Sequence, residues 1–366
     1  MLGYIIRRIL FIIPTLIGIM LLNFALVQFV PGGPVEQLIH QFENDSSSLN
    51  LLGGNDVDAG LSNSNSKNFS QSSTYQGAQG LPDEFIKDLE RQFGFDKPPI
   101  ERFFSMMVNY LTFDFGESYF RSIQVIDLVI EKMPVSISLG LWSTLLAYLI
   151  SIPLGIKKAV NDGSNFDMFS SAIIIICYSL PGFLFAIILL VFFAGGTYYQ
   201  WFPLRGLTSD NWGELNFLEQ MFDYLWHIAL PVLASTISSF ATLTLLTKNS
   251  FVDEIKKQYV TTAKAKGLSN NQVLYQHVFR NAMLIIIAGF PGIFISAFFG
   301  GSLIIETIFS LDGLGRLGFE AALTRDYPVM FGTLYFFGLL GLIIGLISDL
   351  VYVIVDPRID FEGRNS

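Results

Sequence analysis

The stretch Phe251-Val-Asp-Glu-Ile-Lys-Lys-Gln-Tyr-Val-Thr-Thr-Ala-Lys-Ala-Lys-Gly267, continuing to Asn281, is a basic, amphipathic interruption in an otherwise apolar chain. Phe251, Ile255, Tyr259 and Ala263 recur every four residues, the spacing that lines one face of a helix, and Lys256, Lys257 and Lys264 fall off that stripe. Gly267 suits a helix C-terminus because it takes a left-handed backbone without steric cost. Directly after it, Ser269-Asn-Asn-Gln272 has the Ser-x-x-Gln form of a capping box that opens a second helix, with Val273, Leu274, His277 and Val278 on one side. The pattern predicts two short helices joined by a glycine bend, with the apolar stripe in contact with another protein. A plain basic loop is the competing reading.

On both sides of this break the chain is built for lipid. It is 51% hydrophobic but only 14% charged, with 35 Phe residues, whereas a soluble domain is about a quarter charged. Apolar runs, uncharged apart from Asp349 in the last, cover 9–30, 135–156, 168–194, 225–247, 282–305 and 329–355. Each is long enough, at about 1.5 Å per helical residue, to cross a hydrocarbon core of roughly 30 Å. The expected fold is an all-α polytopic membrane protein with six transmembrane helices. Residues 1–30 read as a retained signal-anchor helix, because Val30-Pro-Gly-Gly-Pro34 is no small-residue cleavage site. With the N-terminus inside, Arg7, Arg8, Lys157, Lys158, Lys248 and the lysines of the break fall on inner segments, and the outer segments are net acidic. That asymmetry predicts both termini in the cytoplasm.

The longest outer segment, 31–134, divides by composition. Asn44-Asp-Ser-Ser-Ser48 and Ser62-Asn-Ser-Asn-Ser66 mark about 44–80 as too polar to fold, while 81–134, with amphipathic stretches at 83–93 and 101–111, reads as a small ordered cap. Residues 135–356 form the expected core around a loop at 249–281, followed by a cytoplasmic tail at 357–366. Prolines punctuate the spans. Pro181-Gly182 and Pro291-Gly292 are candidate hinges or pathway residues, with ordinary kinks as the bland alternative. The acids Glu306 and Asp349 read as structural hydrogen-bonding groups near the ends of spans.

Catalytic and metal sites are not expected. Cys177 is the single cysteine, and His40, His227 and His277 lie far apart in different segments. No Gly-x-x-x-x-Gly-Lys-Ser/Thr phosphate loop occurs, so any ATP must be bound and hydrolysed by another subunit. An ion-gradient-driven secondary transporter is the alternative, and it would want paired mid-membrane carboxylates that the spans do not show. An intramembrane hydrolase is a remote third reading, with His227 as the only base near an interface.

The segment Tyr259-Val-Thr-Thr-Ala-Lys-Ala-Lys-Gly267 followed by His277-Val-Phe-Arg-Asn-Ala282 resembles the EAA loop of ABC importer permeases, in the variant of the dipeptide and oligopeptide permeases. Tyr4-Ile-Ile-Arg-Arg8, Pro31-Gly-Gly-Pro34, Phe93-Gly-Phe-Asp-Lys-Pro98, Phe113-Asp-Phe-Gly116, Ile152-Pro-Leu-Gly155, Glu306-Thr-Ile-Phe309, Gly313-Leu-Gly315, Arg325-Asp-Tyr-Pro328 and Asp356-Pro-Arg358 agree with that family in order. The long outer insertion and the ending resemble its Yej-type members, which serve importers of microcin C and peptides. Thr261 stands where the general loop has glutamate and Thr262 where it has its first alanine; the usual Leu-Pro is absent.

The resemblance implies a type I ABC importer transmembrane-subunit fold with a large extracytoplasmic insertion between helices 1 and 2. It implies a bacterial inner-membrane permease working with a second related permease subunit in a heterodimer, a cytoplasmic ABC ATPase and an extracytoplasmic peptide-binding protein. Tyr259, Thr261, Thr262, Ala263, Lys264, Gly267, His277, Arg280 and Asn281 would then form the ATPase-coupling loop. No cofactor of the chain's own and no nucleic-acid partner are expected.

Overall fold

The computed structural model describes residues 2–29, 97–196, 198–295 and 302–355. The Ser/Asn-rich stretch 44–80, the amphipathic stretch 83–93 and the tail 357–366 lie outside the described residues. Among the described residues every element of regular length is a helix: α1 Leu2–Phe29, α2 Pro99–Leu111, α3 Val125–Val160, α4 Asn165–Ser179, α5 Gly182–Phe193 and α6 Phe217–Ile255. The order continues with α7 Gln258–Ala265, α8 Asn270–Val273, a π-helical turn Leu274–Val278, α9 Phe279–Ala288, α10 Phe290–Ile295, α11 Ser302–Ile308, α12 Leu314–Thr324 and α13 Tyr327–Val355.

Among the described residues, four stretches are each long and apolar enough to cross a membrane: Ile6–Ala25, Val125–Val160, Asn270–Ile295 and Tyr327–Val351. Two further crossings arise only if bent helices count as single spans, α4 with α5 (94°) and the two legs of α6 (51°). Against the six runs expected from composition, the described residues hold four such helices, and the number reaches six only where each bent pair is taken as one span. The single spans bury between 11% and 39% of their most apolar window inside the chain. Most of that apolar surface faces outward, the arrangement that suits hydrocarbon as solvent.

Contacts divide the chain into two units. One comprises Ile17–Leu128 and Glu320–Leu334. There α2 carries Tyr110 against Phe115, edge to face at 4.7 Å, and Phe24 of α1 meets Phe103 and Phe331. Asp326 precedes α13 and caps it, its carboxylate accepting the Val329 N–H together with the Ser118 hydroxyl and the Tyr119 N–H. Burial raises the Asp326 pKa above the usual carboxylate range, against the lowering effect of those donors. At Gly332 an added Cβ would meet Val125 Cγ1 at 2.6 Å, so the start of α3 and α13 cross where only glycine fits.

The other unit comprises Met1–Leu16, Val129–Phe319 and Tyr335–Ser366. Helix α6 is its axis. Its 39 residues measure about 58 Å along the bent helix path, nearly twice the thickness of a hydrocarbon core. Glu219 opens it by accepting the Asn216 N–H at 2.9 Å. Gly155 of α3 packs on α6 with an imagined Cβ 2.6 Å from Thr247 Cβ, which fixes a close crossing. Arg8 of α1 pairs with Asp349 of α13, which gives that acid of the last span a charged partner.

Candidate functional site

At one end of the larger unit, α6 gives way to the helices built from the basic break. Helix α6 stops at Ile255 because Lys257 turns extended, at φ −72° and ψ 151°, and becomes the N-cap residue of α7. Glu254 holds this corner: it pairs with Lys257 and accepts the Tyr259 hydroxyl at 2.7 Å. Asn281, from the start of the next span, also bonds Tyr259. Burial raises the Tyr259 pKa and the Glu254 carboxylate adds to the shift, so the phenol stays protonated and continues to donate.

Helix α7 closes by a Schellman arrangement. The Gly267 N–H donates to Lys264 O (2.9 Å) and the Leu268 N–H to Ala263 O (3.4 Å), with Gly267 at φ +89°. A side chain at Gly267 has open space around it, so the demand for glycine is one of backbone conformation alone. Two residues on, Ser269 Oγ accepts the Gln272 N–H and the Gln272 side chain accepts the Ser269 N–H (3.0 Å), the reciprocal capping box that opens α8. The chain then passes through the π-turn Leu274–Val278 and runs into the membrane as α9.

This segment has two faces. Phe251, Val260, Ala263, Val273, Val278 and Ala282 are buried in one apolar cluster with Ala147, Ile156 and Ala159 of α3. Thr261, Thr262, Lys264, Lys266, Gly267 and the run 269–272 are exposed, as are His277, Arg280 and Asn281. The stripe expected to touch another protein is therefore turned the other way. Phe251 is 0% and Ala263 8% exposed, both packed on the chain's own core. A four-residue repeat shows that a face is apolar, not what covers it, and here the ends of α3, α6 and α9 lie within reach. The surface left for a partner is polar and basic. Of the expected coupling residues, Tyr259 and Asn281 are joined directly and Ala263 faces inward. Thr261, Thr262, Lys264, Gly267, His277 and Arg280 face outward.

The two proline–glycine pairs lie outside this segment. Pro181 is the N-cap residue of α5, following Leu180 in extended conformation, and marks the 94° break between α4 and α5. Pro291 continues α10 just after the Gly289 end of α9.

Of two polar clusters in this unit, one went entirely unread in the sequence, and of the other only the acid, Glu306, was read. Beside the segment, Lys158 of α3 is fully buried, its Nζ donating to Asp167 O (2.9 Å), Ser170 Oγ (2.8 Å) and Ser171 Oγ (2.7 Å) and pairing with Asp167 Oδ1 (2.9 Å). Lys248 of α6 reaches the same carboxylate at Oδ2 (2.7 Å) and also pairs with Asp162 (2.9 Å). The second cluster surrounds Glu306, which is 0% exposed. It accepts from the Ser136 hydroxyl (2.6 Å) and the Arg316 and Gly315 N–H groups, while Ser136 Oγ accepts the Leu314 N–H (2.8 Å). The Asn161-Asp-Gly163 turn between two apolar runs was a local signal for the first cluster; no spacing pointed to Lys248 or Ser136 as partners.

Comparison with known proteins agrees with this architecture. Residues 151–361 match the family model of the binding-protein-dependent transport system inner membrane component. A protein of Agrobacterium fabrum named peptidoglycan transport system permease protein YejB is 61% identical over 99% of both chains. The Escherichia coli inner membrane ABC transporter permease protein YejB is 57% identical over 99% of this chain and 100% of its own. The Bacillus subtilis oligopeptide transport system permease protein AppB is 32% identical over 99% of this chain and 100% of its own. Among solved structures, the inward-facing MetNI methionine ABC transporter has a chain matching 63% of this one and 97% of its own, at TM-score 0.50 and 16% identity. The fold is that of a type I ABC importer permease.

Proposed function

The chain belongs to the binding-protein-dependent transport system inner membrane components, the permease subunits of ABC importers, and we propose that its cargo is a peptide or peptide-like compound, microcin C among them. The names of its relatives, a peptidoglycan permease, a YejB permease and an oligopeptide permease, support a cargo with peptide bonds. An extracytoplasmic binding protein delivers it, and a second, related permease completes the pathway as a heterodimer. ATP is bound and hydrolysed by a separate cytoplasmic subunit, since this chain contains no phosphate loop.

The observation that carries the coupling role is the two-faced segment 256–281. It is welded to the span ends through its apolar side and presents Thr261, Thr262, Lys264, Lys266 and the capping-box turn outward. A partner that moves this polar face moves α6 and α9 with it, because Val260, Ala263 and Val278 share a core with both. Closure of the ATPase pair thereby biases the spans between two arrangements, and the helix breaks at Pro181-Gly182 and Gly289–Pro291 are where the spans yield. In this reading the segment and both termini are cytoplasmic. Single cysteines at Asn270 and Asp210, in a Cys177→Ser background, report the orientation. An impermeant thiol reagent applied to intact cells should label the second and spare the first; the reverse pattern overturns the topology.

Reconstitution with the ATPase, the second permease and the binding protein tests the function. Uptake of peptide should require ATP and all partners, and uptake that follows an ion gradient without ATP would refute it. Gly267→Val forces a β-branched residue into a left-handed backbone at about 1–2 kcal/mol, roughly a 5- to 30-fold loss of the bent geometry. Uptake should fall by about that factor while membrane abundance and binding-protein affinity for peptide stay unchanged.

A further inference from the structure

We propose that Asp167, Lys158 and Lys248, with Asp162, are positioning residues that make the end of α6 and the α3–α4 turn move as one body, carrying displacement of the coupling segment to the α4–α5 break. The inference rests on the coupling role given to segment 256–281.

One carboxylate is divided between two helices. Asp167 gives Oδ1 to Lys158 of α3 and Oδ2 to Lys248 of α6, and Oδ2 also accepts the Gly163 N–H at 3.1 Å from the turn between α3 and α4. The charges balance, two lysines against two aspartates, and they are withdrawn from water. Side-chain exposure is 0% for Lys158, 7% for Asp167 and 17% for Lys248, with Asp162 at the rim at 46%. Separating α6 from α4 would strip the largely buried Lys248 of both its carboxylates and leave Asp167 to Lys158 alone, and an unpaired buried charge costs far more than the intact pair contributes. The site therefore resists sliding.

Its location gives that resistance a use. Lys248 lies two helical turns before the corner at Lys256–Lys257, on the helix that holds the coupling segment. Asp167 lies in the first turn of α4, a helix of 15 residues and roughly 22 Å that ends at the 94° break before Pro181. Ser164 fixes that first turn by accepting the Asp167 N–H at 3.3 Å, and Lys158 binds Ser170 and Ser171 one turn further on. Helix α4 is thus gripped at its base by α3 and α6 together, and any shift of α6 at Lys248 is delivered along α4 to the break.

Reconstituted full complexes carrying Lys248→Gln, Lys248→Arg, Asp162→Asn or Gly267→Val test this. Three quantities are read: the amount of assembled complex, substrate-stimulated ATP hydrolysis, and peptide imported per ATP hydrolysed. Lys248→Gln should assemble and hydrolyse ATP while import per ATP falls roughly tenfold. Lys248→Arg, which can still bridge both carboxylates, should restore import per ATP to within about twofold. A structural prop alone would lower the amount of complex and leave that ratio untouched, and an unchanged ratio in Lys248→Gln overturns the proposal. Should Lys248→Gln not assemble, Asp162→Asn at the exposed rim decides, with a smaller loss of ratio supporting the proposal and none refuting it. Loss in Gly267→Val with a normal ratio in the network variants leaves the coupling segment standing and removes this inference; no loss in Gly267→Val removes the reading beneath it.

Discussion

The bend of the coupling segment and the cradle of Glu306 solve the same problem, satisfying polar groups where the chain reverses, by opposite means. At the bend every bond is local: Gly267 to Lys264, Leu268 to Ala263, Ser269 to Gln272. Apart from the buried Ala263 and half-buried Leu268 the residues involved are exposed and the space around Gly267 is open, so the geometry is set by a few residues acting on their own backbone. Glu306 does the reverse. Its carboxylate is sealed from solvent and takes a hydroxyl from Ser136, 170 residues earlier, together with N–H groups in the first turn of α12. Asp326 in the other unit repeats that design, with Ser118 as donor 208 residues away. A local device can be altered without unfolding anything and is suited to motion; a long-range one holds segments together and is suited to fixing them.

That contrast is broken most sharply at Glu306. Replacing it with alanine leaves the Ser136 hydroxyl and the Arg316 and Gly315 N–H groups buried without their acceptor, at about 1–3 kcal/mol for each group. Gly313→Ala should act in the same direction, since an added Cβ would fall 2.3 Å from the Glu306 carboxyl carbon. Both should reduce recovery of folded complex and its thermal midpoint, whereas Glu306→Gln, which keeps one acceptor oxygen, should reduce them less. Wild-type recovery of Glu306→Ala would show that the cradle is dispensable and the contrast false.

An intermediate effect is expected at Asp326. Burial raises its pKa in the folded protein above the unfolded value, so the folded state binds the proton more tightly. The stability contributed by the protonated form is complete below the unfolded pKa and is lost as pH rises through the folded one. Thermal midpoints followed downward through the carboxylate range should therefore show a stabilising component that Asp326→Asn removes. Identical pH profiles for the two proteins would mean that this acid behaves like an exposed one.

The same contrast explains what was legible in the sequence. The glycine bend and the capping box were readable because their partners lie within five residues. The apolar layer was readable from the lack of charge, but apolar runs mark membrane depth rather than helix ends. Composition alone therefore did not show that α6 spans 217–255 or that α4 and α5 meet at 94°. The corner at Lys256–Lys257 was invisible because lysine is a good helix former; it is Glu254, bonding both Lys257 and Tyr259, that stabilises the turn. Glu306 and Asp349 were read as structural acids, yet their partners Ser136 and Arg8 could not be named. Lys158, Lys248 and Asp167 went unrecognised for the same reason: Lys248 meets Asp167 across 81 residues, a separation no periodicity encodes.

The mildest test compares two residues of the segment itself. Ser269→Ala removes the acceptor for the Gln272 N–H and one half of the capping box, a loss of about 1 kcal/mol in the helix that carries the outward face. Lys256→Ala removes an exposed side chain at the corner, where Lys257 and not Lys256 is paired with Glu254. Surface changes of that kind stay within about 0.5 kcal/mol. If the segment transmits force through its fixed bend, Ser269→Ala should lower peptide import several-fold with normal assembly, and Lys256→Ala should lie within about twofold of wild type. The opposite ranking, with Lys256→Ala the more damaging, would mean that the segment works through its positive charge. The local bonds that shape it would then be incidental to transport.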